Sequence, residues 1–379
     1  MRTFSGKPQV LKEINSSMIE QLVFENGPIS KPELARRTGL SLPTISKLVD
    51  DLEKNSRLCP AGRSGKGAGR KAILYETNRN SGCLLACYYK QGSYICRLAD
   101  MMNNTLYENS FPMNSGSSKK ALASTLGAID DLMKRAPAQV KIIGIGLPGV
   151  IQPDGYLMAI PQIAVWEGFN LEKALANRYK AAIYVENDVK LSTMGYYYTH
   201  LTEKHENLVY LYVGNGIGSG IILNRQLYRG TGHFSGEIGF MAESAGAVPR
   251  NYSVNGGFLE SRVGAFVDFG KGELKRGNNA SSRRELIAIF SSIAVNHVAV
   301  LNPGVIVFAG KIFDKALVDD IVKHMSNYLP PGIMPRITRD TSSSSGLEGL
   351  VKSCREYITT GVHLVQGMGL PQRVDRFAV

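Results

Sequence analysis

Residues 213–240 read VGNGIGSGIILNRQLYRGTGHFSGEIGF, a segment in which glycine recurs with unusual regularity. The first cluster places glycine at every second position, at Gly214, Gly216, Gly218 and Gly220. A second glycine cluster surrounds a single carboxylate, Glu237. Glycine has no Cβ, so this spacing suits a tight strand–turn–strand in which the backbone approaches another group closely. The segment therefore predicts either a phosphate-sized loop followed by a ligand-binding turn, or a glycine-rich β-hairpin without chemistry.

Two apolar runs elsewhere end in small or polar residues, as strands do at the ligand-binding edge of α/β sheets. Residues 140–151, VKIIGIGLPGVI, predict a buried strand followed by a tight turn at Gly149. The run AAIYV at 181–185 is followed by Glu186, Asn187 and Asp188, and then by a predicted helix. A carboxylate at such a turn can accept a proton or a hydrogen bond from a hydroxyl group. An Asx cap on the following helix is the alternative explanation.

Together these segments resemble the ROK family, which contains sugar kinases and sugar-responsive repressors. The resemblance extends from about Gly82 to the C-terminus and implies an α/β chain with the two-lobed actin-like ATPase fold. Asp188 occupies the position of the family's general base, and the phosphate loop corresponds to Gly214, Gly216 and Gly218. The sugar-binding residues that the resemblance implies are Gly149, Asn187, Asp188, Glu237 and Glu260.

The sequence departs from the kinases of this family in the predicted hairpin at 82–100. There the family carries Asp-x-Gly-Gly-Thr, whose acid holds magnesium through water and whose backbone receives phosphate. The aligned residues here are Tyr88, Tyr89, Lys90, Gln91 and Gly92. Val189-Lys190 also replaces the usual Ala-Asn after Asp188. These departures predict that no residue is catalytic, that Asp188 and the glycine loop are vestigial, and that the chain is not a kinase.

The family's structural zinc site is also altered in this sequence. The histidine that touches both sugar and zinc is replaced by Phe240, and the three cysteine positions hold Asn251, Ser253 and Phe258. No soft ligand remains, so we expect no metal and no other cofactor. His233 could substitute in the pocket, but a histidine on a surface loop is the favoured interpretation.

The first 56 residues predict three short helices. Apolar residues recur at helical spacing over 14–26, Ser30 can cap a second helix with Glu33 completing a capping box, and Ser41 can cap a third. Two helices joined by a glycine-containing turn, the second with small polar residues at its start, are typical of a helix-turn-helix. An ordinary three-helix bundle is the alternative. The residues predicted to contact DNA from this third helix are Ser41, Thr44, Ser46 and Lys47.

Residues 57–77, RLCPAGRSGKGAGRKAILYET, favour DNA binding because they predict a β-hairpin with a basic, glycine-rich tip. Such a tip can follow phosphates or place an arginine in a narrow minor groove. Its Gly-Arg-Lys triplet at 69–71 also resembles the wing of ROK repressors. The DNA-contacting residues predicted here are Arg63, Lys66, Arg70 and Lys71.

Composition agrees with a nucleic-acid partner. The 379 residues carry a net charge of +12, and residues 1–80 contain 14 Lys and Arg against 8 Asp and Glu. Such a concentrated basic excess suggests a polyanion, although a merely soluble basic surface is the alternative. The five cysteines are odd in number and form no CxxC pair, which predicts reduced thiols. No stretch approaches eighteen apolar residues and no signal core is present, so we expect a cytoplasmic protein without a membrane span.

The resulting prediction is a winged helix-turn-helix at 1–80, a first ROK lobe at 81–188 and a second at 189–361. The tail at 362–379 is expected to pack back on the first lobe. The resemblance implies a sugar-responsive repressor, of the type that responds to xylose or N-acetylglucosamine. It would bind a double-stranded DNA operator as a homodimer or homotetramer. The alternatives are an ATP-dependent sugar kinase with an accessory DNA-binding domain, and a module whose lobes bind a partner protein.

Overall fold

The N-terminal domain is built from three helices and a small sheet in the computed structural model, which describes residues 8–64, 71–201, 207–242, 257–277 and 279–360. The helices are α1 (Pro8–Asn26), α2 (Lys31–Thr38) and α3 (Leu42–Lys54). The strands are β1 (Ile29–Ser30), β2 (Leu58–Arg63) and β3 (Ile73–Thr77), in the antiparallel order β1-β3-β2. The predicted winged helix-turn-helix is therefore confirmed, and its first helix begins at Pro8 rather than near residue 14.

Side-chain caps start the second and third helices as predicted. Ser30 Oγ and Ser41 Oγ each accept a hydrogen bond from the backbone N–H three residues on, at 3.4 and 3.3 Å. The Glu33 carboxylate does not complete the capping box, because it binds Arg36 and Arg37 at 2.6 to 2.8 Å instead. The buried face of α3 consists of Ile45, Leu48, Val49 and Leu52.

The first lobe is built on a five-stranded sheet. Its elements in chain order are β4 (Cys83–Lys90), β5 (Ser93–Asp100), β6 (Thr105–Pro112), α4 (Ser118–Arg135), β7 (Val140–Leu147), β8 (Val150–Ile151), β9 (Leu157–Met158), a 3₁₀ helix (Pro161–Trp166), α5 (Leu171–Ala176), β10 (Ala182–Asn187) and α6 (Asp188–His200). The sheet order is β10-β7-β4-β5-β6, in which β4, β7 and β10 run parallel to one another. Both β7 and β10 therefore end at the same edge, next to Gly149 and Asn187.

The second lobe repeats this connectivity with different residues. Its elements are β11 (Leu208–Val213), β12 (Ile217–Leu223), β13 (Gln226–Leu227), a 3₁₀ helix (Ile238–Phe240), α7 (Phe258–Val263), β14 (Val267–Asp268), β15 (Glu273–Leu274), α8 (Ala280–Leu301), β16 (Val305–Ala309), α9 (Lys315–Met325), β17 (Arg336–Asp340) and α10 (Ser345–Thr360). The sheet order β13-β12-β11-β16-β17 again sets three antiparallel strands beside two parallel ones. Two such lobes agree with the predicted architecture.

Helix α10 crosses back to the first lobe, although the predicted boundaries place residues up to 361 in the second. Leu347, Leu350, Val351 and Cys354 share a buried cluster with first-lobe strand residues such as Leu84. The packing of α10 on α6 is very close, since a Cβ on Gly195 would lie 1.9 Å from the Ser345 carbonyl oxygen. The predicted return of the tail at 362–379 falls outside the described residues.

Two strands of the first lobe carry a cysteine pair that the sequence analysis did not expect. Cys87 in β4 lies directly opposite Cys96 in β5, with Cα atoms 4.1 Å apart, and a disulfide joins them. The prediction of reduced thiols is therefore wrong for this pair, because counting cysteines ignores the register of the hairpin. Cys59, Cys83 and Cys354 are free thiols.

Helix α8 is long and apolar enough to cross a bilayer by length and composition alone. It nevertheless packs as a core helix of the second lobe, with Leu286, Ile289, Phe290 and Ile293 in the buried cluster.

The winged domain contacts the first lobe where α1 crosses α10. Ser17 Oγ donates a hydrogen bond to the Thr359 carbonyl oxygen at 2.8 Å. The Arg355 guanidinium lies 3.2 Å from the centre of the Phe24 ring, and its Nε donates to the Met101 carbonyl oxygen at 3.2 Å. A hydrogen bond and a cation–π contact therefore join the two domains.

The same contact region buries charge. Glu20 of α1 is 5% exposed and forms an ion pair with Arg57, and Arg355 is 3% exposed. Burial raises the pKa of Glu20 to about 7, although Arg57 and Arg355 oppose this rise. Burial also lowers the pKa of Arg355 to about 10, with Glu20 opposing. We refer to Glu20, Phe24, Arg57 and Arg355 as the α1–α10 joint.

Candidate functional site

A pocket opens between the two lobes and gathers the sugar-binding residues that the family resemblance implies. The first lobe contributes its residues from the turns after β7 and β10, and the second lobe contributes its residues from β12, the following loop and α7. The predicted residues that line it are Gly149, Asn187, Asp188, Glu237 and Glu260. We refer to this site as the acidic pocket, because Asp188, Glu237 and Glu260 are its charged side chains.

Asn187 is fixed at the floor of the acidic pocket as the N-cap of α6. Its Oδ1 accepts from Lys190 N at 2.9 Å, and its Nδ2 donates to the Gly149 carbonyl oxygen at 2.9 Å. The capping interpretation therefore describes this residue in the structure. Capping and ligand contact are compatible, because an amide has two donor hydrogens and two acceptor lone pairs.

Asp188 lies at the first turn of α6 without a cation beside it. Its Oδ1 accepts from Val189 N at 2.8 Å. Burial raises the pKa of Asp188 to about 7, and the nearby Glu237 carboxyl adds to the rise. A carboxyl with this pKa can exchange between hydrogen-bond donor and acceptor near neutral pH.

Glu237 and Glu260 form the opposite wall of the acidic pocket. Burial raises the pKa of Glu237, with Lys190 opposing, and burial together with Glu237 raises the pKa of Glu260 to about 7. The Glu260 carboxylate occupies space that two glycines leave free. A Cβ on Gly216 would lie 3.3 Å from Glu260 Oε1, and one on Gly239 would lie 2.9 Å from Oε2. These glycines therefore admit a carboxylate into the wall.

The remaining glycines of the predicted phosphate loop have packing roles. A Cβ on Gly218 would come 3.1 Å from the Val189 side chain, and one on Gly220 would overlap Thr193 Oγ1 at 1.7 Å. Both glycines let α6 approach β12. A Cβ on Gly214 would overlap the Tyr212 hydroxyl at 2.0 Å. The assignment of Gly214, Gly216 and Gly218 as a vestigial phosphate loop stays a prediction.

The hairpin of β4 and β5 presents tyrosine towards Asp188 instead of an acid. The Tyr88 ring lies against two glycines, since a Cβ would come within 2.7 Å of it at Gly146 and 2.3 Å at Gly346. Its hydroxyl lies 3.5 Å from the Asp188 carbonyl oxygen. Tyr212 lines the pocket from the other lobe, and burial together with Asp188 raises its pKa to about 12. Two neutral phenol groups therefore stand next to Asp188.

A set of polar contacts that the sequence analysis missed holds the two walls together. Arg229 Nε donates to Glu186 Oε2 at 2.8 Å, and Lys190 Nζ donates to the His233 carbonyl oxygen at 2.5 Å. His233 Nδ1 lies 3.0 Å from the Ile151 carbonyl oxygen. Burial alone would raise the pKa of Glu186, but the charges of Arg229 and Lys190 hold it below its ordinary value. His233 thus ties the loop after β13 to the first lobe.

Two other pocket residues were missed, because Gln162 lies in no recognisable motif and the motif around Ser219 is defined by its glycines alone. Gln162 comes from the 3₁₀ helix after β9, and its Nε2 donates to the Asn215 carbonyl oxygen at 2.9 Å. Its Oε1 is buried without a hydrogen-bond partner, and so is Ser219 Oγ. Ser219 lies among the glycines of β12 and is 2% exposed. The only sequence signal for Ser219 was its position as a serine within the glycine run at 214–220.

The predicted DNA-binding residues form an exposed surface on the winged domain. Ser41, Thr44 and Lys47 are exposed, Ser46 is half-buried, and the Ser41 and Thr44 hydroxyl oxygens lie 2.8 Å apart. In the wing, Arg63 and Lys71 are exposed. Lys66 and Arg70 lie outside the described residues. The predicted DNA-contacting residues at the start of α3 thus present small polar groups and one cation, Lys47.

Metal-ligating side chains do not cluster in groups of three anywhere in the part of the chain that the structure describes. Phe240, at the position of the family's zinc histidine, packs against Phe234 with ring centroids 5.2 Å apart. Asn251 and Ser253 lie outside the described residues. The expected absence of zinc stays a prediction.

Family models match two parts of the chain. Residues 93–250 match the model of the ROK family, and residues 21–56 match a model described as winged helix-turn-helix DNA-binding. The two matches agree with the two-part organisation seen in the fold.

Curated relatives include two kinds of repressor. The xylose repressor of Caldicellulosiruptor bescii is 26% identical over 238 residues, which cover 62% of this chain and 60% of that protein. The DNA-binding transcriptional dual regulator NagC of Escherichia coli is 25% identical over 238 residues, which cover 62% of this chain and 58% of the regulator. The matched stretch thus spans about three-fifths of the length of these relatives.

Solved structures share the fold at lower identity. A ROK family transcriptional regulator, a homologue of the Escherichia coli MLC protein, superposes with a TM-score of 0.73 at 18% identity, covering 93% of this chain and 99% of its own. The ROK hexokinase of Thermus thermophilus gives a TM-score of 0.60 at 17% identity, covering 73% and 99%. The hexokinase thus shares the architecture over a smaller part of this chain.

Proposed function

We propose that this chain, which contains a ROK family domain behind a winged helix-turn-helix domain, is a DNA-binding transcriptional repressor that responds to a sugar. The relatives named as repressors and the exposed polar face of α3 support the DNA-binding part. The acidic pocket supports the sugar-responsive part, because carboxylates and amides match the hydroxyl groups of a sugar.

One observation carries the proposal: helix α10 packs against both the helix that begins in the pocket and the first helix of the winged domain. Asn187 and Asp188 start α6, and α6 packs on α10 so closely that Gly195 and Gly349 leave no room for a side chain. The far end of α10 carries Arg355 and Thr359, which contact α1. A ligand that favours one arrangement of α6 can therefore bias the position of the winged domain, provided that its affinity differs between the two arrangements.

The proposal includes no phosphoryl transfer. Kinases accelerate this reaction by positioning and by neutralising charge on the transferred group. The hairpin that would supply an acid and a phosphate-binding backbone presents Tyr88 instead, and Tyr212 stands on the other side of Asp188. Turnover in a coupled ATPase assay at ordinary kinase rates of about 1–100 per second would contradict this part.

We further propose that the protein acts in the cytoplasm as a homodimer or homotetramer. A winged domain reads one half-site, and two-fold symmetric operators match two domains related by the same symmetry. Sedimentation of the full chain with and without a duplex tests this stoichiometry, and a stable monomer on DNA contradicts it.

The DNA-binding part is tested with the full chain and a pool of random duplexes, from which bound sequences are selected at low salt. Lys47→Ala and Arg63→Ala should each reduce the slope of log affinity against log salt by about 1, because each removes one phosphate contact. Lys120→Ala, which removes an exposed lysine from α4, is the matched control and should leave the slope unchanged. Failure of the wild-type chain to enrich any duplex contradicts the proposal.

A further inference from the structure

The charged side chains that line the acidic pocket all carry the same sign. They are Asp188, Glu237 and Glu260, and no lysine or arginine lines the pocket among the described residues. The nearest cations already have partners, since Lys190 binds the His233 carbonyl oxygen and Arg229 binds Glu186. A phosphate monoester carries about −1.5 to −2 charges at neutral pH. Such a group would meet the carboxyl groups of this pocket, and the cation that acts on Glu237, Lys190, does not line the pocket and binds the His233 carbonyl oxygen.

The helix N-terminus that lines this pocket and could attract an anion is already occupied. The N-terminus of α6 points into the pocket, and helix N-termini favour negative charge. The Asp188 carboxylate binds Val189 N, and Asn187 Oδ1 binds Lys190 N. The first backbone donors of α6 are therefore satisfied from within the protein.

The acidic pocket also holds two buried polar atoms without partners. Ser219 Oγ and Gln162 Oε1 form no hydrogen bond, and the side-chain amide of Gln162 is oriented by its donation to the Asn215 carbonyl oxygen. Buried polar groups in native proteins are nearly always paired with protein, water or ligand, so unpaired ones on residues that line a pocket are available as partners for a ligand. Gln162 Oε1 accepts only, whereas a serine hydroxyl donates or accepts, and both match sugar hydroxyl groups.

We propose that the acidic pocket binds an uncharged sugar in preference to its phosphorylated or acidic derivatives, and that Gln162 and Ser219 are specificity-determining contacts to its hydroxyl groups. This inference rests on the proposed function and specifies its ligand class. The carboxyl groups accept from sugar hydroxyls, while the two unpaired atoms select a sugar whose hydroxyls reach both walls. A ligand that lacks those hydroxyls leaves both atoms unpaired and binds more weakly.

Calorimetric titration of the full chain tests the ligand class. D-Xylose, D-glucose and N-acetyl-D-glucosamine are each compared with their phosphate monoesters. In titrations above about pH 7, where Asp188 and Glu260 are ionised, we expect at least one free sugar to bind at least about tenfold more tightly than its phosphate, because like charges repel strongly away from water. Preference for the phosphate overturns the inference and leaves the proposed sugar response intact. If neither form of any sugar binds, the inference and the sugar-responsive part of the proposed function both fail.

Two substitutions test the two contacts with the free sugar that binds most tightly. Ser219→Ala and Gln162→Met should each weaken binding about tenfold, because each removes one hydrogen bond to the ligand. Ser219→Ala should not lower the melting temperature of the unliganded protein, since its hydroxyl has no partner to lose. Ser291→Ala is the matched control, because that buried hydroxyl already bonds the Ile321 carbonyl oxygen at 3.3 Å.

The control should show the opposite pattern, with a lower melting temperature and unchanged sugar affinity. If Ser219→Ala and Gln162→Met both bind the sugar as tightly as the wild type, the assignment of these two residues is wrong.

Discussion

The acidic pocket and the α1–α10 joint both bury carboxyl groups, and in both places burial raises a carboxyl pKa to about 7. They differ in what faces those groups. In the joint, Glu20 meets Arg57 and lies close to Arg355, so its charge is compensated within the protein. In the pocket, Asp188 and Glu260 face other carboxyl groups and tyrosine hydroxyls.

This difference separates a structural role from a binding role. A buried charge is tolerated when it is paired, and removing one partner of such a pair is strongly destabilising. A cluster of unpaired carboxyl groups costs stability in the unliganded protein and is typical of functional sites. The joint should therefore respond to mutation mainly through stability, and the pocket mainly through ligand binding.

Breaking the joint should give the largest effect. Arg355→Met removes the guanidinium that lies over Phe24 and near Glu20, while keeping an unbranched side chain of similar length. We expect the free energy of unfolding to fall by about 3 kcal/mol, because Glu20 stays buried with only the partly exposed Arg57 as a partner. Urea denaturation of the full chain measures the change. The same variant should also weaken the response of DNA binding to sugar.

The double variant Glu20→Gln/Arg355→Met shows how much of the stability loss in Arg355→Met comes from the unpaired Glu20 charge and how much from lost packing. Removing the carboxyl group as well should restore about half of the lost free energy, because no buried charge is left unpaired. An exposed pair on one helix provides the control, since Arg135→Met breaks the contact with Asp131 and should cost less than about 1 kcal/mol. A loss at Arg355 no larger than at Arg135 would show that the joint is not a buried charge site.

The second prediction concerns pH. A carboxyl group whose pKa is higher in the folded protein than in the unfolded chain stabilises the fold fully below the unfolded value, near 4. That stability is lost as the pH rises through the folded value, near 7. Asp188, Glu260 and Glu20 all meet this condition. The unliganded protein should therefore lose stability between about pH 4 and 7, by about 2 kcal/mol once the partial exposure of the pocket is allowed for.

Variants divide this loss between the two regions. Asp188→Asn/Glu260→Gln should remove the part of the stability loss that comes from the pocket. Glu20→Gln should remove the part that comes from the joint. Tyr88 and Tyr212 face Asp188 but stay neutral across this range, because burial raises the pKa of each hydroxyl further. Urea denaturation at four pH values measures each slope. Equal slopes in the wild type and in the pocket double variant would contradict the raised pKa values of the pocket.

Most of the fold could be predicted because its signals are local. The signals for the predicted hairpin at 82–100, for the caps at Ser30 and Ser41, and for the apolar strands before Gly149 and Asn187 all lie within a few residues of the elements that they define. The disulfide was also within reach, since a turn pairing Lys90 with Ser93 places Cys87 opposite Cys96. The two lobes share a strand order, but the sequence shows no matching repeat. A common topology requires apolar residues at buried positions, and it does not require the same residues in both lobes.

The candidate site was predicted only where a family motif exists. Asp188, Glu237 and Glu260 were placed together through the resemblance. Gln162 lies in a segment without a recognised pattern, and Ser219 lies in a pattern defined by its glycines alone. The contact between α1 and α10 could not be predicted, because partners such as Ser17 and Thr359 are 342 residues apart in the chain. Such contacts depend on how whole helices pack.

The smallest expected effect sharpens the joint side of the comparison. Phe24 contributes its ring to Arg355, and a cation–π contact that is largely shielded from water contributes about 0.5–2 kcal/mol. Phe24→Leu keeps an apolar side chain but removes the ring, so we expect the free energy of unfolding to fall by about 1 kcal/mol. In the Arg355→Met background the same substitution should cost less, because the cation is already gone. A double-mutant cycle by urea denaturation measures this coupling. A coupling energy of zero would mean that Phe24 supports α10 through packing alone, and that only the charges of Glu20, Arg57 and Arg355 distinguish the joint from the acidic pocket.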